Sequence, residues 1–311
     1  MTKILIPSDF ELHLEPVQGV DVVAIDKTAP LPSEHADAAG FVEWAMSGKQ
    51  VAALVEALPD LRWVQSLAAG PNTVLDATPS DVTVTGGSGL HDKPVAEHAL
   101  ALVLAGLRRV HLAVRAQQES RWAFEIGGPQ PEWDPTAATT LRGARVTIWG
   151  YGNIARELAP HLVALGASVT GVARSARQEG DVRVVDDIDA VLPETDVLVM
   201  ILPGSDATEH ALDHDRLAAL PTRSWVVNVG RGTSIDQVAL LAALRSGAIR
   251  GAALDVTDPE PLPADSPLWG EPNLIITPHA AGGRPLGASE LVQRNIEAFA
   301  TGGELENVIA R

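Results

Sequence analysis

The chain contains no cysteine among its 311 residues, and aromatic side chains make up only 4% of it. Without cysteine there is no disulfide, no thiolate metal site and no cysteine nucleophile, and we assign no metal site. The longest apolar run, residues 99–107, is far shorter than the ~20 residues that a membrane-spanning helix needs. Residues 1–7 favour a strand over a secretion signal. We therefore expect a cytoplasmic protein with no membrane partner.

Basic residues are also scarce, since 23 Lys and Arg stand against 40 Asp and Glu, for a formal net charge of −17 at pH 7. An acidic surface repels polyanions, so we expect neither nucleic acid nor an anionic membrane as a partner. The content of 46% apolar residues, many of them Ala and Val, is typical of a globular protein. A length of 311 residues predicts two domains of ordinary size.

Short apolar runs alternate with helical or polar segments, which predicts an α/β fold with mostly parallel sheets. Residues 94–118 indicate one long helix, and its apolar character on nearly every side as far as Leu107 predicts that it is buried. Residues 121–140, where Pro and Gly interrupt any periodicity, predict an extended arm. The other predicted strands are residues 4–6, 20–25, 40–44, 61–67, 82–85, 146–149, 168–173, 196–202, 224–229 and 251–256, and the other predicted helices are residues 51–58, 154–165, 237–246 and 289–299.

A glycine turn joins the predicted strand at residues 146–149 to the helix after it. Gly150 allows a tight strand-to-helix turn, and Gly152 has no side chain to block a pyrophosphate. The helix start at Asn153 and Ile154 offers free N–H groups and a positive dipole end to phosphate. A plain turn would share this pattern. Because a second strand follows and completes a βαβ unit, the pattern favours a dinucleotide site.

That second strand, residues 168–173, ends without the acidic residue that a NAD site normally carries for the ribose hydroxyls. Arg174 and Ser175 occupy the position instead. A guanidinium and a hydroxyl suit a 2′-phosphate, so the expected cofactor is NADP, with NAD the less favoured choice.

Three polar residues follow predicted strands in the second half of the chain, and they are Arg231, Glu260 and His279. Taken singly, each has an ordinary explanation, such as a solvated arginine or a loop histidine. Together they form a complete set for moving a hydride to or from a carbonyl carbon, because a histidine can exchange the proton and an arginine can polarise the oxygen.

A series of motifs follows along the chain, namely residues 94–97 (PVAE), Trp122, 141–143 (LRG), 201–208 (ILPGSDAT), 228–232 (NVGRG), 254–261 (LDVTDPEP) and 277–282 (TPHAAG). With these motifs in this order, the chain resembles the NAD(P)-dependent D-2-hydroxyacid dehydrogenases over nearly its whole length. The resemblance implies an α/β fold of two doubly wound parallel-sheet domains, with a Rossmann cofactor domain (96–283) inserted into a flavodoxin-like substrate domain (1–95 and 284–311). It also implies a homodimer, formed through the long helix and the arm.

The resemblance assigns roles to single residues. His279 should give the proton to the carbonyl oxygen, Glu260 should hold the other imidazole nitrogen, and Arg231 should polarise the carbonyl and pair with the substrate carboxylate. Ala69 and Gly70 match the loop whose N–H groups bind that carboxylate, beside Arg231 and His279. The residues matched to the cofactor site are Gly150, Gly152, Asn153, Ile154, Arg174, Ser175, Leu202, Pro203, Thr208, Val229, Gly230, Asp255 and Ala281, with Asp255 at the position that holds the nicotinamide amide.

Two departures from the family pattern stand out. The glycine turn has Ala155 in place of a third glycine, which is a small change. Gly70 is followed by Pro71, which removes one N–H donor from the carboxylate loop and stiffens it. Two related activities are disfavoured, because formate dehydrogenases carry Gln where Glu260 stands and phosphite dehydrogenases carry Lys within the loop at residues 68–72.

We therefore expect a reductase that uses NADPH to convert a small 2-oxo acid, of the glyoxylate or hydroxypyruvate type, into the D-2-hydroxy acid. The alternative is a dinucleotide-sensing binding protein like the corepressors that share this fold, which keep the same Arg, Glu and His set. Trp44, Met46 and His91 are candidate walls of the substrate pocket, and each is equally compatible with packing.

Overall fold

The computed structural model describes residues 1–129 and 138–309. The chain divides into two compact units, the first formed by Met1–His91 with Gly282–Arg311 and the second by Asp92–Ala281. From the sequence, the two changes of domain are expected after residues 95 and 283. None of the helices in the described ranges is both long enough and apolar enough to cross a membrane.

The first unit contains a five-stranded sheet with all strands parallel, in the order β2-β1-β3-β4-β5. This is the strand order of flavodoxin-like folds. The strands are β1 (Thr2–Pro7), β2 (Val20–Ile25), β3 (Gly40–Glu43), β4 (Trp63–Ser66) and β5 (Thr83–Thr85), and the helices are α1 (Gly48–Glu56), α2 (Asn72–Ala77) and, from the end of the chain, α9 (Ala288–Thr301).

Both faces of this sheet are buried. Successive side chains of a strand point to opposite faces, and accordingly Ile4 belongs to one apolar cluster with Val292 of α9, while Leu5 belongs to another with Val51 of α1. The carboxyl ends of β3 and β4 are thereby left at one edge, where ligands of such sheets bind.

The second unit contains an eight-stranded sheet in the order β13-β12-β11-β10-β6-β7-β9-β8, parallel except for the β8–β9 pair. The strand order reverses between β6 and β10, as in dinucleotide-binding folds. The prediction of two doubly wound α/β sheets is confirmed. The strands are β6 (Arg145–Trp149), β7 (Ser168–Val172), β8 (Arg177–Glu179), β9 (Val182–Val185), β10 (Val197–Met200), β11 (Trp225–Asn228), β12 (Gly251–Leu254) and β13 (Leu274–Ile276).

The prediction of one long helix at residues 94–118 is wrong in one respect, because two helices cover this stretch. The break falls at Arg109, whose φ of 54° is left-handed. The buried part ends at Leu107, and the following helix buries only Ala116. The predicted arm at residues 121–140 contains one short helix, and its residues 130–137 lie outside the described ranges. The helices of this unit are α3 (Asp92–Leu107), α4 (Val110–Gln118), α5 (Phe124–Gly127), α6 (Asn153–Ala164), α7 (His214–Ala219) and α8 (Gln237–Ser246).

Two glycines make room for the indole of Trp225, the first residue of β11. A Cβ atom on Gly106 of α3 would lie 2.1 Å from the indole, and one on Gly251 of β12 would lie 1.9 Å from it. Real Cβ atoms essentially never come this close to another heavy atom. The contact therefore requires glycine in α3 even though glycine weakens a helix.

We expect Gly106→Ala to lower the thermal unfolding midpoint. Ala gains about 1 kcal/mol over Gly in a helix, but overpacking a core of this kind costs about 1–3 kcal/mol or more. Gly127→Ala is the matched control, because a Cβ there meets open space. The packing account is contradicted if both variants unfold at the same temperature as the parent protein.

Candidate active site

Arg231, Glu260 and His279 all follow strands of the second sheet. They come after β11, β12 and β13 respectively, and these three strands are parallel neighbours. The three side chains therefore lie beyond the carboxyl ends of adjacent strands, which is the ligand-binding edge of an open α/β sheet.

His279 and Glu260 form a hydrogen-bonded pair. His279 Nδ1 lies 2.9 Å from Glu260 Oε2, and the other carboxylate oxygen accepts a hydrogen bond from Thr257 N–H at 3.2 Å. When Nδ1 donates its proton to Glu260, Nε2 is the nitrogen left for a ligand, and it is bonded to none of the described residues. Because 49% of the imidazole side chain is exposed, the pair has the geometry of an accessible general acid–base.

A cavity of about 630 Å³ opens beside this pair. Its polar wall includes His279 and Glu260, and its apolar wall includes Leu262, Trp269 and Ile276. A volume of this size and a mainly apolar lining with a few polar groups are typical of small-molecule sites.

The segment that carries His279 is anchored by the buried carboxylate of Asp255. Oδ1 accepts from Thr277 Oγ1 at 2.5 Å and from Ala280 N–H at 2.9 Å, and Oδ2 accepts from Ala281 N–H at 3.0 Å. His279 N–H also donates to the Asp255 carbonyl at 2.8 Å. His279 itself has a left-handed φ of 50°, a conformation that persists only where the surroundings fix it.

His98 of α3, a residue with no role predicted from the sequence, completes this anchor. Its Nε2 lies 3.2 Å from Asp255 Oδ1 and 3.1 Å from Thr277 Oγ1. Within its own unit, the carboxylate of Asp255 thus faces three hydrogen-bond donors and the Nε2 atom of His98. Its contact with a nicotinamide amide stays a prediction. The one signal for His98 in the sequence is its position, directly after the PVAE motif and before the apolar run of α3.

The turn after β11 holds Arg231 in place. Asn228 belongs to the NVGRG motif, but the sequence predicts no role for its side chain. Its side-chain amide donates to Arg231 O at 2.9 Å and accepts from Gly230 N–H at 3.0 Å. Arg231 Nη1 donates to Gly230 O at 2.8 Å. A Cβ on Gly204 would lie 3.2 Å from Arg231 Cγ, so the stem of the arginine packs against that glycine.

The glycine turn has room for an anionic group. Gly150 has a φ of 100°, and a Cβ there would lie 2.5 Å from Ile201 O, so no other residue fits. A Cβ on Gly152, in contrast, would meet open space. No side chain caps the start of α6 at Asn153 and Ile154, which leaves its first N–H groups for a ligand. The space, the N–H groups and the dipole of α6 fit a pyrophosphate.

The other residues matched to the cofactor line the same edge of the second sheet. Leu202, after β10, and Val229, after β11, are both buried. Thr208 Oγ1 donates to Pro203 O at 2.6 Å and so closes the loop between them. Gly230 is required there, because a Cβ would lie 2.6 Å from Leu202 O.

Arg174 and Ser175 lie at the end of β7, and both are exposed. Within residues 1–129 and 138–309, the guanidinium of Arg174 makes no hydrogen bond and no ion pair. An unpaired guanidinium beside a hydroxyl can bind a phosphate.

In the first unit, Ala69 and Gly70 follow β4. The start of the loop is fixed, since Ala68 N–H donates to Ser66 Oγ, and Ser66 Oγ donates to Glu43 Oε2 at 2.6 Å. The N–H groups of Ala69 and Gly70 have no acceptor in the described part of the chain. They can therefore bind an anion, as the resemblance implies.

The candidate pocket walls of the first unit differ in exposure. His91 is buried, its Nε2 lies 2.6 Å from Leu67 O, and its ring stacks on Trp44 with the centroids 5.7 Å apart. Trp44 and Met46 are half-buried. His91 thus supports the indole from behind, and Trp44 and Met46 are the two with surface available to a ligand.

Residues 100–281 match the family model described as D-isomer specific 2-hydroxyacid dehydrogenase, NAD binding domain. The chain is 32% identical to the glyoxylate reductase of Aeropyrum pernix, over 94% of this chain and 90% of that protein. It is 30% identical to glyoxylate/hydroxypyruvate reductase B of Serratia proteamaculans, over 98% and 95% respectively.

The fold is likewise similar to a solved structure, the NADPH-dependent glyoxylate/hydroxypyruvate reductase of Sinorhizobium meliloti in complex with NADP and sulfate. The TM-score is 0.78 at 26% identity, over 99% of this chain and 98% of that one. The family predicted from the motifs is therefore confirmed by matches along nearly the whole chain. This protein belongs to the D-isomer specific 2-hydroxyacid dehydrogenase family.

Proposed function

We propose that this protein reduces a small 2-oxo acid, of the glyoxylate or hydroxypyruvate type, to the D-2-hydroxy acid with NADPH. The observation that carries the proposal is the His279–Glu260 pair, with Nε2 of the imidazole unbonded within the described residues. The relatives named above are reductases of such acids. The corepressor-like alternative has no support among them.

The reaction needs a hydride donor, a proton donor and a clamp for the substrate. The reduced nicotinamide supplies the hydride when it is bound. His279 Nε2–H gives its proton to the carbonyl oxygen as negative charge grows there. Glu260 accepts the hydrogen bond from Nδ1, which fixes the orientation and the tautomer of the ring.

Arg231 polarises the carbonyl and pairs with the substrate carboxylate through its planar guanidinium. The resemblance also assigns the N–H groups of Ala69 and Gly70, in the first unit, to a substrate carboxylate, and they have no acceptor among the described residues. A substrate held in one orientation reacts faster, because reaching that orientation costs no further entropy. We assign Trp44 and Met46 to the wall that limits the size of the substrate side chain.

The proposed cofactor site extends from the glycine turn to Arg174. Gly150, Gly152 and the start of α6 at Asn153 receive the pyrophosphate, and Arg174 and Ser175 receive the 2′-phosphate. The NADP complex of the Sinorhizobium meliloti reductase supports this choice.

We also propose a homodimer, and a cytoplasmic location stays a prediction from the sequence. Four apolar side chains that follow α3 support the dimer, because each is 45% exposed or more and such groups mark interaction surfaces when they cluster. They are Val110, Val114, Trp122 and Phe124.

The catalytic pair is tested by two substitutions. His279→Ala should lower kcat for glyoxylate reduction by on the order of 10²-fold or more, because proton transfer is lost. Glu260→Gln should lower kcat by about tenfold, because a neutral amide replaces the charge-assisted hydrogen bond to Nδ1 with a weaker one. Steady-state kinetics from pH 5 to 9 and thermal melts of each variant provide the measurement.

His214→Ala is the matched control, because His214 is an exposed histidine beside a carboxylate, Asp215, at 3.1 Å. His214→Ala should keep the kcat and the thermal unfolding midpoint of the parent enzyme. The assigned role of Glu260 is wrong if Glu260→Gln keeps the parent kcat, and that of His279 is wrong if His279→Ala keeps it.

Cofactor choice is tested at Arg174. A charge-assisted hydrogen bond contributes about 1.5–3 kcal/mol, so NADPH should be preferred over NADH by roughly ten- to a hundredfold in kcat/KM. Arg174→Ala should remove most of this preference by raising KM for NADPH. Replacing Ala173 with Asp together with Arg174→Ala should invert it, because the new carboxylate accepts the ribose hydroxyls and repels the phosphate.

The control is Arg183→Ala, which removes another exposed arginine, on β9. The ratio of kcat/KM for NADPH to that for NADH should stay at the parent value in this variant. A parent enzyme that uses both cofactors equally, or an Arg174→Ala variant with an unchanged ratio, contradicts the assignment of this strand end.

A further inference from the structure

Three arginines and one carboxylate surround the end of β7, and the reaction proposed above uses only one of them. Arg174 is exposed and unpaired within the described residues. Arg156 lies on α6, and Arg177 and Glu179 lie on β8. The carboxylate of Glu179 thus lies next to the site proposed for the 2′-phosphate. Its negative charge would weaken phosphate binding there unless a second effect of the residue outweighed the repulsion.

Glu179 is fully engaged by the other two arginines. Arg156 binds it through two nitrogens, Nε to Oε2 at 2.8 Å and Nη2 to Oε1 at 3.0 Å. Arg177 Nε donates to Oε1 as well. These hydrogen bonds lower the pKa of Glu179 to about 2. The carboxylate is therefore charged at every pH at which the protein would work.

Both arginines extend from Glu179 to the proposed cofactor site. Arg177 Nη1 donates to Ser175 O at 3.0 Å, and Nη2 donates to Tyr151 O at 3.2 Å. One guanidinium thus ties the segment of the 2′-phosphate site to the glycine turn. Arg156 Nη1 donates to Asn153 Oδ1 at 3.1 Å and so reaches the first residue of α6.

We propose that Glu179 is a positioning residue for cofactor selectivity. Through Arg177 and Arg156 it fixes the spacing between the glycine turn and the segment of Arg174 and Ser175. The inference rests on the proposed use of NADPH. A ligand with phosphate groups at both places gains most when the two subsites are already at the right separation, because less ordering is needed on binding.

The charge of Glu179 alone predicts the opposite effect. If the residue acted only as a negative charge near the 2′-phosphate, its removal would strengthen NADPH binding. The positioning role predicts that removal weakens NADPH binding, although the net charge at the site becomes more favourable. The sign of the change therefore separates the two.

The experiment compares Glu179→Gln with Asp181→Asn. Asp181 lies in the turn of the same hairpin, is exposed and bonds to none of the described residues, so its variant removes the same charge without touching either arginine. Dissociation constants for NADPH and NADH are measured by nicotinamide fluorescence in the absence of substrate, beside KM and kcat for each cofactor.

We expect Glu179→Gln to weaken NADPH binding about tenfold, in line with the loss of one charge-assisted hydrogen bond, and to leave NADH binding and kcat with NADPH nearly unchanged. Glu179→Asp, which keeps the charge, should recover part of the loss. Asp181→Asn should bind NADPH as the parent protein does or slightly more tightly.

The inference is overturned if Glu179→Gln binds NADPH as tightly as the parent or more tightly, if it weakens both cofactors equally, or if Asp181→Asn has the same effect. Should Glu179→Gln fail to fold, Arg177→Lys tests the inference instead. Lysine keeps the positive charge but cannot donate to Tyr151 O and Ser175 O at the same time. Parent-like selectivity in that variant overturns the inference. A parent protein that binds no NADPH contradicts the proposed function, whereas one that binds it without reducing 2-oxo acids contradicts only the reaction.

Discussion

A carboxylate that is 1% exposed can remain buried only if its oxygens are hydrogen-bonded, and Asp255 meets this condition with backbone and side-chain donors from residues 277–281. The chemistry of the second unit depends on this constraint. Because Asp255 holds both sides of the loop, His279 is kept in its left-handed conformation with Nδ1 at Glu260. The parallel sheet then brings the residues that follow β11, β12 and β13, which are far apart in the chain, to one edge.

Much of the fold could be predicted because the sheets are covered on both faces. The strands Val197–Met200 and Trp225–Asn228 are buried throughout, so they appear as short apolar runs in which Asn228 is the one polar residue. The β8–β9 hairpin was not predicted, since Arg177–Glu179 is a polar edge strand that pairs only with β9. The break at Arg109 was also missed, because the sequence on both sides of it favours a helix.

The candidate site was predictable to the extent that single residue types define its chemistry. Arg231, Glu260 and His279 follow strands in recognisable motifs, and Gly150 has a conformation that only glycine tolerates. The supporting contacts of Asn228, His98 and Glu179 were not predictable. Hydrogen bonds between residues distant in the chain leave no periodicity or spacing in the sequence, and only the folded structure places their atoms together.

Helix α9 has a consequence for how the chain is made. It supplies Leu291, Val292 and Ile296 to the apolar cluster around Ile4, and the buried side chain of Asn295 donates to Gln65 at 2.6 Å. The strand β1 therefore cannot bury its apolar side chains against α9 until the ribosome has synthesised all the residues between them. The second unit is continuous in the chain and can fold as soon as it emerges. During translation, the nascent chain would therefore contain a folded second unit and an incomplete first unit. The exposed apolar face of the first unit is the part that chaperones would bind.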